Sequence, residues 1–121
     1  MLDETTKHDG AAQVNGALTD VRRLLADTEA ALRNGTPDAR EVTAVVTGTH
    51  EVTTALAGLV QAVMDHTPAL VDRHGPEVST EVLADLRALH GCLSTGALLL
   101  APALDDLRVT VRTQHAETGE A

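Results

Sequence analysis

The sequence predicts an all-α protein, an antiparallel bundle of three long helices. Three observations predict this class. Apolar residues recur every three or four positions over long segments, helix start and stop signals separate those segments, and Phe, Tyr and Trp are absent. A core of Leu, Val and Ala suits closely spaced helices and leaves little room for a large ligand pocket.

The chain of 121 residues has the length of one domain. We predict a flexible acidic tail over residues 1–10, a single helical-bundle domain over residues 11–116, and a frayed C-terminus over residues 117–121. Neither an internal repeat nor a low-complexity tract interrupts the sequence of this domain.

The first helix is predicted from about Ala11 to Asn34. Asn34 and Gly35 form a stop signal, because both residues tolerate the left-handed conformation that ends many helices. The apolar stripe of this helix consists of Val14, Leu18, Val21, Leu25, Thr28 and Leu32.

The second helix begins at the Thr36-Pro37-Asp38 segment, where Thr36 can cap and Pro37 suits the first helical position. Its apolar stripe is the most regular pattern in the chain and predicts a core or interaction face. The stripe consists of Val42, Val45, Thr49, Val52, Leu56, Leu59 and Val63. The alternative is a β-hairpin that turns at Thr47-Gly48, because residues 42–54 are rich in β-branched side chains.

A short helical turn is predicted around residues 68–74, and Pro76 opens the third long helix. Pro102 should kink or break that helix, which then counts as two. The predicted face of the third helix includes Val82, Leu86, Leu89 and Leu93. Residues 107–113 also alternate between apolar and polar, so a short strand is the alternative there.

Short connections between long helices predict antiparallel neighbours. Counting outward from the 66–76 connection at about 1.5 Å per residue places His50 and His90 within one helical turn of each other in height, and Gly48 level with Gly96. A pair of glycines at a helix crossing lets two backbones approach closely. We therefore predict a close helix contact at Gly48 and Gly96.

Six histidines raise the question of a metal site, yet neither Glu-x-x-His nor His-x-x-x-His spacing occurs. If the bundle bound a metal or a small ligand, the candidate residues would be His50, Glu51 and His90. No nucleophile elbow and no phosphate-binding loop is present either. The sequence therefore predicts a protein that is not an enzyme and has no cofactor.

Net charge is −9, and no Lys/Arg stripe offsets it. This excess of acid argues against nucleic-acid and anionic-membrane partners and favours a basic protein partner. The run from Ala88 to Leu104 lacks charged residues, and we read it as a buried core helix with Cys92 as a small buried side chain. No signal-peptide pattern is visible, which predicts a cytoplasmic protein.

The second helix carries apolar residues beside its main stripe, such as Val46 and Val60, and two neighbours cannot cover them all. A homodimer would bury the remainder. The sequence thus predicts a non-enzymatic protein–protein interaction module of the scaffold, adaptor or inhibitor type that self-associates through helix faces.

Overall fold

The computed structural model describes the backbone of residues 2–120 and the side chains of residues 10–108. The described backbone is almost entirely helical, which confirms the all-α class; neither the hairpin at Thr47-Gly48 nor a strand at 107–113 forms in it. The elements are α1 (Leu2–Asn34), α2 (Ala39–Asp65), a 3-10 turn (Thr67–Leu70) and α3 (Val71–Glu120). The chain divides into two compact units, Met1–Pro37 and Asp38–Ala121.

The first unit consists of α1 and the residues that end it. The helix begins at Leu2, earlier than the predicted start near Ala11, and it ends at Asn34 as predicted. The Gly35 amide donates to the Ala31 carbonyl at 3.0 Å, so the final turn closes. A left-handed glycine does not end this helix, because Gly75 alone has a positive φ among the described residues.

The second unit begins with a side-chain cap on α2. The Asp38 carboxylate accepts a hydrogen bond from the Glu41 amide at 2.8 Å, and Glu41 adds an acidic side chain to the first turn. The Asp38 carboxylate accepts a bond from an amide that has no partner within the helix, and both negative charges interact favourably with the positive end of the helix dipole. The predicted cap at Thr36 is wrong by two residues, and Pro37 precedes the cap instead of following it.

A compact turn joins α2 to α3. The predicted helical turn is confirmed as the 3-10 turn Thr67–Leu70, followed by the first residues of α3. Thr67 is 2% exposed, and its hydroxyl donates to the Val63 carbonyl at 3.1 Å. The buried Ser79 hydroxyl donates to the Thr67 carbonyl at 3.3 Å. These two bonds fix the turn against the beginning of the long part of α3.

The interruption of α3 lies at Gly75, where φ is 84° and ψ is 166°. Pro76 disfavours helical geometry in the residue before it, and only glycine adopts this φ without strain. At Pro102 the backbone stays helical, so α3 does not divide there. The carbonyl that loses its helical partner belongs to Leu98, a residue that is 75% exposed, so water can satisfy it.

The helices α2 and α3 pack antiparallel as a hairpin. Gln61 and Met64 of α2 line one groove together with Leu83 and Arg87 of α3, as the antiparallel order requires. The buried apolar residues of the described part are Ala57, Val60 and Leu104. This core is small for a hairpin of such length, which leaves much apolar surface outside it.

Candidate interaction surface

Helix α2 carries two stripes, one largely apolar and one of mixed apolar and polar residues, that are offset by one residue, or about 100° around the helix. Both follow alternating steps of three and four residues. The packed stripe consists of Thr43, Val46, His50, Thr53, Ala57, Val60 and Met64, which are buried or half-buried. The outer stripe consists of Val42, Val45, Thr49, Val52, Leu56, Leu59 and Val63.

The packed stripe contacts α3 through small and short side chains. Ala57 is 9% exposed and Val60 is 6% exposed, and Thr67 continues the same spacing into the turn. Opposite it, α3 presents buried or half-buried residues at the same spacing. They are Ser79, Leu83, Leu86, His90, Leu93, Ala97, Leu100 and Leu104. The side chains most deeply buried on α2, those of Ala57 and Val60, are thus smaller than the leucines of the outer stripe.

The outer stripe is exposed, apart from the half-buried Val45. Leu56 and Leu59 retain 41% and 43% of their accessible surface. The prediction that this stripe forms the core is therefore wrong for the packing of α2 on α3.

The outer stripe is uncharged and almost entirely apolar. From Val42 to Val63 it extends about 32 Å at 1.5 Å per residue, and none of its seven members is charged. Its one hydroxyl belongs to Thr49 and donates to the Val45 carbonyl at 2.7 Å. At its C-terminal end, Val63 lines a mostly apolar depression of about 280 Å³ beside the turn. A continuous apolar strip of this length is typical of a surface that binds another helix.

The residues of the predicted face of α3 differ in their exposure. Val82, Leu86 and Leu93 are half-buried, whereas Leu89 is 45% exposed. His90, one residue further along, takes the packed position. The stripe is therefore displaced by one residue in the middle of the helix, as it is in α2.

The uncharged run of α3 is not a buried core helix. Leu98 and Leu99 are 75% and 74% exposed, and Cys92 is exposed as well. The burial predicted for Cys92 and its neighbours is therefore wrong. One segment, Thr67–Arg108, is long and apolar enough to pass a test for membrane spans, with a mean hydropathy of 1.2 in its best window. A single helix of this kind is weak evidence for a span.

The predicted close contact between Gly48 and Gly96 does not occur. A Cβ atom added to either glycine would meet nothing within 4 Å. Gly96 lies on the exposed side of α3. Counting residues along the chain predicts the height of each glycine in the hairpin. It does not predict which side of its helix each glycine occupies.

The candidate residues His50, Glu51 and His90 do not form a cluster. Counting from the contact between Thr67 and Ser79, His50 and His90 lie about 9 Å apart along the hairpin. The prediction that they lie within one helical turn of each other in height is wrong, because packing begins at Ser79 and not at Pro76. Glu51 is exposed. Among residues 10–108, no three His, Cys, Asp or Glu side chains are grouped so that they could hold a metal ion.

Helix α1 has an exposed apolar stripe of its own. Val14, Leu18, Val21 and Leu25 are 45–56% exposed. On its polar sides, Arg23 pairs with Asp20 at 3.0 Å and Arg33 with Glu29 at 2.8 Å. These intrahelical pairs support α1 locally, while its apolar side remains available for packing.

Comparison with protein-family models, with curated proteins and with solved structures found no match to this chain. The described residues define an α-helical hairpin with one packed and one exposed apolar stripe on the same helix.

Proposed function

We propose that this protein is a non-enzymatic helical interaction module that binds protein partners, a further copy of itself among them, through the outer stripe of α2. One observation carries the proposal: a continuous apolar strip is exposed beside the strip that already packs on α3. Covering such a strip removes apolar area from water, which favours association at about 25 cal/mol per Å² before the costs of binding are subtracted.

The charge of the chain narrows the kind of partner. The net charge of −9 repels acidic partners, including nucleic acids, and attracts a partner whose binding surface is bordered by basic residues. Helix-in-groove recognition supplies the matching geometry, in which an amphipathic helix lays its apolar side along an apolar strip. A scaffold, adaptor or inhibitor in the cytoplasm would use its surface in this way.

The molar mass in solution tests this proposal. We expect light scattering to give a mass above the 12.6 kDa of one chain, rising with protein concentration. Leu56→Glu places a charge in the middle of the outer stripe and should shift the mass toward one chain. Thr54→Glu is the matched control, because Thr54 is exposed and lies outside both stripes. A monomeric wild-type protein would contradict self-association. Equal effects of the two variants would contradict the assignment of the outer stripe as the binding surface.

A further inference from the structure

We propose that Asn34 is a site of spontaneous covalent modification, where the side-chain amide is converted to aspartate and isoaspartate and the last turn of α1 opens as a result. The chain contains two asparagines, Asn15 and Asn34, and a glycine follows each of them. The local sequence therefore makes both asparagines candidates for the same reaction. Their positions in α1 differ, and that difference selects Asn34.

The reaction requires the asparagine, the glycine after it and water. The main-chain nitrogen of the glycine attacks the side-chain carbon Cγ of the asparagine, and ammonia leaves with the proton that the nitrogen gives up. Water then opens the resulting five-membered succinimide ring at one of its two carbonyl carbons. One opening gives aspartate, and the other gives isoaspartate, in which the main chain runs through the former side chain. Glycine favours the attack, because it has no Cβ to restrict the backbone.

Asn15 is protected by its place in the interior of α1, which extends from Leu2 to Asn34. In a helix the amide of Gly16 donates to a carbonyl of the preceding turn, so its nitrogen is already engaged. Ring closure also requires the asparagine ψ to leave its helical value, because helical geometry holds the next nitrogen away from Cγ. At Asn15 this rotation would interrupt the helix with helical residues on both sides.

Asn34 lacks this protection, since it is the last residue of α1 and its side chain is exposed. The Gly35 amide is held by the bond that it donates to the Ala31 carbonyl at 3.0 Å. The residues that follow are not helical until α2 begins at Ala39. Because helix ends open at much lower free energy than helix interiors, the Gly35 nitrogen is released far more often than that of Gly16.

Both products weaken the last turn of α1. Each adds a negative charge at the C-terminal end of the helix, where the helix dipole is itself negative. Isoaspartate also adds one atom to the main chain between residues 34 and 35, which moves the Gly35 amide out of register with the Ala31 carbonyl. The modification therefore opens this turn and lengthens the segment between α1 and α2.

Mass spectrometry of the full-length protein after long incubation tests the proposal. Trypsin cleaves after lysine and arginine and so releases Asn15 and Asn34 in separate peptides, in which both products are heavier than asparagine. We expect Asn34 to be converted faster than Asn15 by on the order of tenfold or more. The rate should rise with pH, because the attacking nitrogen must lose its proton. Equal rates, faster conversion of Asn15, or an unchanged Asn34 would overturn the proposal.

Unfolding the chain separates the effect of structure from that of sequence. In concentrated guanidinium chloride the two asparagines should react at similar rates, and a preference for Asn34 that persists there would overturn the protection by α1. Asn34→Gln is the matched variant, because a glutamine side chain closes a ring less readily. Ageing should speed hydrogen exchange of the Gly35 amide in the wild-type protein and leave it unchanged in Asn34→Gln. Equal changes in both would overturn the opening of the turn.

Discussion

The Ser79 hydroxyl donates a hydrogen bond to the Thr67 carbonyl at 3.3 Å, with both residues buried. This bond joins the 3-10 turn to the first packed position of the long part of α3. It fixes the height at which α3 starts to pack, and with it the register of the hairpin. Every later contact between α2 and α3 follows from that register.

Ser79→Ala removes the donor of this bond. We expect the free energy of unfolding to fall by about 1 kcal/mol, because a buried carbonyl loses a partner that water cannot easily replace. Urea unfolding followed by circular dichroism measures the change. Thr80→Ala is the control, since the exposed Thr80 hydroxyl bonds only to Pro76 in its own helix. Equal losses in the two variants would show that the buried bond has no special role.

The cap on α2 gives a second prediction. Asp38→Ala should lower the free energy of unfolding by about 1 kcal/mol, because the Glu41 amide loses its side-chain acceptor. Asp38→Asn keeps an acceptor and should retain most of the stability. Thr36→Ala tests the position that the sequence favoured and should change little. Thermal unfolding of the three variants ranks them, and a larger loss at Thr36 than at Asp38 would contradict the assigned cap.

The two kinds of glycine in α3 should respond in opposite ways. Gly75→Ala forces a Cβ into a positive-φ conformation and should cost about 1–3 kcal/mol. Gly96→Ala adds a methyl group to a helical residue with open space around it and should stabilise the protein by about 0.5–1 kcal/mol. Chemical denaturation of both variants provides the comparison. If Gly96→Ala destabilised the protein instead, that result would support the close contact between Gly48 and Gly96 that the structure does not contain.

The sequence was sufficient for the helical class and for most of the helix boundaries. The spacing of apolar residues identified α2, and Asn34 marked the end of α1. The actual cap lay two residues from the predicted one, because Thr36 and Asp38 are both suitable cap residues. A pattern along the chain does not say which of two such side chains reaches the amide.

The packed face of α2 could not be predicted from periodicity alone. Two stripes with the same spacing lie one residue apart. The sequence analysis assigned the core to the more hydrophobic stripe, which contains Leu56 and Leu59. The structure packs the stripe that contains Ala57 and Val60. The same ambiguity exists in α3, where Leu89 was predicted to pack and the neighbouring His90 occupies the packed position instead. The distinction depends on the partner helix, which a single helical pattern does not contain.

Neighbouring residues 59 and 60 provide the most direct test of the claim that α2 uses one stripe for packing and leaves the other for a partner. Single cysteines at these positions, in a Cys92→Ser background, are treated with a thiol reagent at low protein concentration. We predict that Leu59→Cys reacts faster than Val60→Cys by on the order of tenfold or more, since position 60 reacts only when the hairpin opens. Raising the protein concentration should then slow Leu59→Cys alone. Equal rates at the two positions, or faster reaction at position 60, would contradict the account.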